Sequence, residues 1–158
     1  MAPTLRHPSF DPVGLGVTPV PLADAPSALA VVRLAASDPP RPETVVLLLD
    51  DAHVGKACCI VSGTTGPDDV LDVGALAAEV AGRSPDVHAV VLATIRDRAA
   101  AGAGAGEGRE DDVLRWLVLL DLFDEIGVEL LEWFVVGPGS EVQSLRAHTG
   151  LPSLWRGT

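Results

Sequence analysis

The stretch from 90 to 116, VVLATIRDRAAAGAGAGEGREDDVLRW, joins an apolar strand to a helix through a loop almost without side chains. Loops at this place in an α/β domain often carry its chemistry. The helix opens on acids that suit either a bound cation or the positive end of the helix dipole, namely Glu110, Asp111 and Asp112. The loop itself offers no reactive group, and GAGAG lacks the spacing of a dinucleotide fingerprint. Two hypotheses remain for it, a mobile connection, which the glycine content favours, and a backbone clamp for a partner chain.

The other reactive side chains form no recognisable site. Cys58 and Cys59 are adjacent, so on a strand they point to opposite faces, and we expect two reduced thiols. His7 begins an HPS tripeptide without a second ligand nearby, and the other histidines are expected to be surface or structural residues, namely His53, His88 and His148. Serine nucleophile elbows, phosphate loops and Cys-x-x-Cys pairs are absent from the sequence.

Composition limits the class of protein. A chain of 158 residues with 47% hydrophobic content is long enough for one domain with a proper core. Its formal net charge of −11 repels phosphate backbones, so we expect no nucleic-acid partner. No apolar run approaches the roughly 18 residues of a membrane span, and the N-terminus lacks the layout of an export signal. We therefore predict a cytoplasmic protein without a membrane partner.

The elements that position these residues follow from periodicity and punctuation. Residues 1–24 are predicted to be a Pro-rich arm and residues 25–158 the domain. The pattern predicts a helix over 26–36 capped by Ser27, strands over 43–51, 55–63, 87–95 and 128–137, and a last strand in SEVQSLRAH. Two further helices are predicted to end at Gly82 and Gly127, the first with Val70, Val73, Leu76, Ala77 and Val80 on its apolar face. The order α-β-β-α-β-α-β-β is typical of an α/β domain with a mixed sheet flanked by helices.

Three stretches resemble the C-terminal domain of bacterial RadC-like proteins, a branch of the JAB/JAMM (MPN) metalloprotease fold, which is cytidine-deaminase-like. ETVVLLLDDAH is similar to the family's opening strand, and IGVELLEWFVVG to its Gly-Ile-x-Leu-Leu-Asp-His-x-Ile-Val-Gly strand, with Glu132 and Trp133 at Asp-His. SLRAHTGL, from Ser144 to Leu151, is similar to the terminal Ser-Leu-x-Glu-x-Gly-Leu. The resemblance covers about residues 26–151, and it implies the JAB/MPN fold.

The resemblance also implies a degenerate zinc site. The family's zinc is held by two histidines of a His-x-His motif and one aspartate, beside a glutamate that serves as general base. Matched position by position, Thr94 and Arg96 replace the two histidines, Asp112 is the aspartate and Glu43 the glutamate, while Arg109 stands at the family's serine. Because a hydroxyl is a poor zinc ligand and a guanidinium does not ligate, we predict no catalytic residue and no bound metal.

Arg96 suggests what replaces the missing ion. If Glu43 and Asp112 keep their family positions, two carboxylates face one partly buried pocket without its metal. Our hypothesis is that the planar fork of Arg96 bridges them. The alternative is that Arg96 reaches into solvent or pairs with Asp97 or Glu110.

These features favour a catalytically inactive domain without cofactor that serves as a protein interaction or assembly module. The resemblance makes a homodimer plausible. Trp116 and Trp133 are expected in the core, whereas Trp155, after Pro152, is the candidate for contacts outside the domain.

Two alternatives remain open. One is a metal-dependent, peptidase-like hydrolase whose ion is held by an atypical set, such as Asp112 with Asp111, Glu110 or His88. The other is a RadC-like protein associated with DNA repair, which the acidic composition disfavours.

Overall fold

The computed structural model describes residues 20–96 and 108–156, with the side chains of residues 108–110 excepted. In chain order its elements are α1 (Ala25–Ala35), β1 (Glu43–Leu49), β2 (Gly55–Ser62), α2 (Asp69–Arg83), β3 (Ala89–Ile95), α3 (Gly108–Glu125), β4 (Glu129–Val136), β5 (Val142–Ser144) and α4 (Leu145–His148). The HPS tripeptide, the Gly/Ala loop and all but the last residues of the predicted arm lie outside the described residues. Over the part described, no helix combines the length and apolar content needed to cross a bilayer.

The strands form one mixed sheet of five, in the order β2-β1-β3-β4-β5. β1 pairs antiparallel with β2 and β3, β3 pairs parallel with β4, and β4 pairs antiparallel with β5. Helix α3 makes the crossover between the parallel strands β3 and β4, as a parallel pair requires. The predicted α/β class with a mixed sheet is therefore confirmed.

Helices cover both faces of the sheet, so the central strands are buried on both sides. On the two-helix face, α2 and α3 pack on Val46, Leu48, Val90 and Leu92. On the α1 face, α1 packs with Trp155 on residues that alternate with those, namely Val45, Leu47, Val91 and Ala93. This arrangement explains why β1 and β3 are continuous apolar runs, because neither face of these strands meets water.

Helices α2 and α3 approach each other closely at Gly74. A Cβ atom there would collide with the side chain of Leu119, so the contact depends on a residue without a side chain. Helix α3 ends just before Gly127, as predicted, and Gly127 adopts the left-handed conformation, with φ of +70°.

Four local predictions are wrong. Asp24, rather than Ser27, caps α1, since its carboxylate accepts a hydrogen bond of 2.8 Å from the Ser27 backbone N–H. SEVQSLRAH is a strand only over Val142–Ser144, because the Ser144 side chain then caps the short helix α4. Helix α2 continues through Gly82 to Arg83, and Leu76 and Val80, predicted on its apolar face, are 43% and 41% exposed.

Candidate functional site

Arg96 and Asp112 form a two-pronged ion pair where β3 meets α3. The Arg96 side chain donates from Nη1 to Asp112 Oδ2 at 3.0 Å and from Nη2 to Asp112 Oδ1 at 2.9 Å. Asp112 lies in the first turns of α3 and is fully buried, whereas the Arg96 side chain is 25% exposed. Arg96 follows β3 directly, so the pair fixes the beginning of the crossover helix to the end of its strand. The part of the sequence hypothesis that pairs Arg96 with Asp112 is therefore confirmed.

A second arginine binds the same carboxylate. Arg115 Nη1 donates to Asp112 Oδ1 at 3.2 Å, while Arg115 Nε donates to Asp68 Oδ1 at 2.8 Å. Burial alone would lower the pKa of Arg115, but its bonds to Asp68 and Asp112 outweigh burial and raise it. Because Asp68 immediately precedes α2, this clasp of Arg96, Asp112, Arg115 and Asp68 joins β3, α3 and α2.

Glu43 lies on the other side of the sheet, so the hypothesis that Arg96 bridges Glu43 and Asp112 is wrong. Glu43 is opposite Ile95 in the β1–β3 register and shares its face, whereas Arg96 is one residue further and projects to the opposite face. The Glu43 carboxylate instead accepts two hydrogen bonds from Ser37. The backbone N–H donates to Oε1 at 2.6 Å, and the hydroxyl donates to Oε2 at 2.9 Å. Arg41 Nε lies 4.0 Å from Glu43 Oε2.

Thr94 occupies a position where its hydroxyl stabilises the core. Thr94 Oγ1 accepts a hydrogen bond of 2.9 Å from Trp133 Nε1, and both side chains are buried. Thr44, its cross-strand partner, bonds to Thr64 at 3.0 Å between the hydroxyl oxygens. Thr94 and Arg96 thus both pair with residues of the same domain, Thr94 with Trp133 and Arg96 with Asp112.

The described members of the proposed atypical metal set, Asp111, Asp112 and His88, do not form a site. His88 precedes β3 and Arg96 follows it, so about eight residues of extended chain, roughly 26 Å, separate His88 from the clasp. Asp111 points into solvent, and the side chains of Arg109 and Glu110 lie outside the described residues. Among the residues described, no three His, Cys, Asp or Glu side chains lie close enough to hold one ion.

Within the clasp, the two oxygens of the Asp112 carboxylate already accept three hydrogen bonds from the guanidinium groups of Arg96 and Arg115. An incoming divalent ion would have to displace at least one guanidinium and would sit beside the charge of the other. The arrangement is suited to holding three elements together.

Arg115 and Asp68 were missed by the sequence reasoning, although Arg115 stands three residues after Asp112, a spacing that brings helical side chains together.

The cysteines show no sign of activation. Both thiols are free, as predicted. Burial raises the pKa of Cys58 to about 11, and burial also raises the pKa of Cys59. Since the thiolate is the nucleophile, neither side chain has the chemistry of a reactive cysteine.

A second polar cluster lies on the α1 face, around Trp155. The prediction that Trp155 contacts something outside the domain is wrong, because it is 4% exposed and packs with the α1-face core. Its ring meets that of His53 edge to face, with 5.5 Å between centroids. Trp116 and Trp133 are fully buried, as predicted.

Glu132 is the buried carboxylate of this cluster. It accepts a hydrogen bond of 2.6 Å from Ser144 Oγ. Burial raises the pKa of Glu132, although the side chains of Ser144, Trp155 and Arg146 act in the opposite direction. The family resemblance aligned Glu132 with an aspartate, but nothing in the sequence indicated these partners.

His53 makes the stability of the α1 face depend on pH. Burial is the main cause of its lowered pKa, Arg156 adds to it, and Glu129 and Asp50 oppose it. In the unfolded chain the imidazole binds a proton near the ordinary pKa of 6.5, but in the folded chain only at lower pH. The contribution of neutral His53 to the free energy of unfolding is therefore fully present above pH 6.5 and is lost as the pH falls towards the pKa of the folded state.

We expect wild type to lose more stability than His53→Asn on acidification from about pH 7.5 to about pH 5.5. Asparagine is the matched replacement because His53 has a φ of +62°, which asparagine tolerates. Urea unfolding at the two pH values measures the difference, and Glu132 titrates in both proteins. Identical pH dependence in the two proteins would show that protonation of His53 does not lower the stability.

A scan against protein-family models found no match for this sequence, and a search of curated proteins found none. The resemblance to RadC-like domains therefore rests on the three stretches of sequence described above.

Proposed function

We propose that this chain is a non-catalytic domain of the JAB/MPN type that acts as a protein interaction or assembly module. One observation carries the proposal: Asp112, the carboxylate aligned with the family's zinc ligand, is bound by Arg96 and Arg115. Arginine side chains here provide the positive charge that a metal provides in the family. The aligned general base, Glu43, is on the opposite face of the sheet and is held by Ser37.

Two surfaces support the interaction role. Helix α3 exposes aliphatic side chains to solvent, and β2 is an edge strand of eight residues with Lys56 as its one charged side chain. Long apolar edge strands accept further strands unless charges or bulges protect them. In β2 both protections lie at the beginning of the strand, where Lys56 is also the bulged residue, so residues 57–62 remain an open edge. The proposed module therefore has both a helix and a sheet edge through which a partner or a second copy can bind.

Metal analysis of protein purified without chelator tests the proposal. We expect zinc and manganese far below one ion per chain, and the same low content in Asp112→Asn, because the carboxylate is engaged by arginines. Near-stoichiometric metal in the wild type would overturn the metal-free proposal. Loss of that metal in Asp112→Asn would place the ion at the clasp, and its retention would place it elsewhere.

A further inference from the structure

Three aliphatic side chains are exposed in a row on the side of α3 that faces away from the sheet. Leu114, Leu117 and Val118 are 62%, 48% and 53% exposed, and their spacing puts them on one helix face. The opposite face of α3 carries Trp116, Leu119 and Phe123, which are fully buried. The outer row of Leu114, Leu117 and Val118 is thus a second apolar face on a helix that already has a core-facing one.

Acidic side chains surround the outer row. The exposed acids of α3 are Asp111, Asp121, Asp124 and Glu125. Among the α3 side chains that the structure describes, Arg115 is the one base, and it is 11% exposed and engaged by Asp68 and Asp112. The outer face of α3 therefore presents aliphatic groups and negative charge, with no exposed cation among its described side chains.

We propose that the outer row docks a cationic amphipathic helix of another protein, a partner with leucine-like side chains along one face and lysine or arginine beside them. The inference rests on the proposed interaction function and names its surface and partner. Aliphatic residues of the partner would cover Leu114, Leu117 and Val118, while its cations would meet Asp121 and Asp124.

A second copy of this chain fits the same surface poorly. Each copy carries a formal net charge of −11, and pairing two α3 faces would place acids near acids. Like charges across an interface select against that partner, whereas cations of a basic helix lower the repulsion and speed association.

The test uses the full chain and a fluorescein-labelled synthetic helix of leucines and lysines, with leucines spaced along one face. Fluorescence anisotropy should show saturable binding that weakens as salt rises. Leu114→Gln/Leu117→Gln should lower the affinity at least about tenfold, since glutamine keeps helix propensity but removes the apolar contact. Asp121→Asn/Asp124→Asn should weaken binding and reduce its salt dependence.

Matched controls separate the outer row from general stickiness. Leu76→Gln, at an exposed leucine on α2, should bind the helix within about twofold of wild type. A peptide of the same composition in scrambled order should bind much more weakly. The double glutamine variant should keep the wild-type thermal midpoint, because an exposed row supports no packing.

Several results would overturn the proposal. Equal binding by wild type and Leu114→Gln/Leu117→Gln would show that the row is not the contact. A dimer in sedimentation velocity that this variant dissociates would make a second copy the occupant, and a large drop in its thermal midpoint would mean that the row packs on its own chain. Bound metal would refute the proposed function alone, since the peptide measurement does not depend on it.

Discussion

Replacing Arg146 with alanine is expected to lower the free energy of unfolding by about 3–4 kcal/mol. Arg146 is 5% exposed and donates to three backbone carbonyls, at 2.7 Å to Leu131, 2.7 Å to Leu130 and 3.0 Å to Pro152. Its guanidinium also lies over the ring of Trp116, 5.5 Å from the centroid. Alanine would leave the buried carbonyls of Leu130 and Leu131 without this donor and would remove the bond to Pro152 and the contact with the Trp116 ring.

The β-bulge in β4 explains why an arginine is needed there. The β3–β4 register pairs Val90 with Leu130 and Val91 with Glu132, so Leu131 is an extra residue in β4. β5 pairs only with Phe134–Val136, and the carbonyls of Leu130 and Leu131 are therefore satisfied by Arg146. One side chain thus joins the bulge, α4 and the segment that leads to Trp155.

Urea unfolding of Arg146→Ala, Arg146→Lys and Arg33→Ala measures this contribution. Lysine should recover less than half of the loss, because one ammonium does not reproduce a planar fork with several donors. Arg33 is the matched control, since its single bond to the Ser140 carbonyl is exposed and measures 3.4 Å, so its loss should cost less than about 0.5 kcal/mol. Equal effects at Arg146 and Arg33 would contradict the structural role of Arg146.

Arg96→Ala is expected to lower the free energy of unfolding by about 2–3 kcal/mol. Its removal leaves the fully buried Asp112 carboxylate with Arg115 as its remaining cation. Breaking a fully buried ion pair typically costs about 3–5 kcal/mol. We expect a cost at or below the lower end of that range for Arg96→Ala, because Arg96 is partly exposed and Arg115 stays in contact with Asp112.

A double-mutant cycle shows whether the effect comes from the Asp112 charge. In an Asp112→Asn background, the cost of Arg96→Ala should fall by about 1–2 kcal/mol, since the buried charge is gone. Arg83→Ala is the surface control, because Arg83 pairs with Glu79 at 2.8 Å where both side chains are well exposed, and its loss should cost less than about 0.5 kcal/mol. A cost for Arg96→Ala as small as that of Arg83→Ala would refute a buried clasp.

If the clasp contributes as expected, Thr94 and Arg96 stabilise this domain directly. Thr94 accepts a hydrogen bond from Trp133, and Arg96 holds Asp112, so each of the two residues has a partner within the fold. The sequence supports that interpretation for Thr94 only once Trp133 is known to be adjacent. Residues 94 and 133 are far apart in the chain, and only the β3–β4 pairing brings them together.

Much of the secondary structure could be predicted from local patterns. Continuous apolar runs identified β1 and β3 as central strands, Gly127 marked the end of α3, and the order of elements gave a mixed α/β sheet. These features depend on near neighbours in the chain or on burial of both faces, which composition alone reveals. The short helix α4 could not be predicted in this way, because Ser144, which caps it, also fits the pattern of a polar position in a strand.

Helix α3 shows a different limit. Its sequence is apolar on almost every side, so periodicity does not distinguish Leu114, which is exposed, from Leu119, which is buried. The choice depends on where α2 and the sheet lie, and the close contact at Gly74 fixes Leu119 inwards. The exposed outer row therefore became visible only in the folded chain.

Local patterns alone place Glu43 on the first strand, Thr94 and Arg96 at the end of the third, and Asp112 at the start of the following helix. Which of these side chains meet depends on how the strands pair. Side chains alternate between the two faces of a strand, so a shift of one residue in the long-range pairing of β1 with β3 exchanges the faces. The observed register puts Glu43 beside Ile95 and leaves Arg96 on the other face, where it holds Asp112 with Arg115.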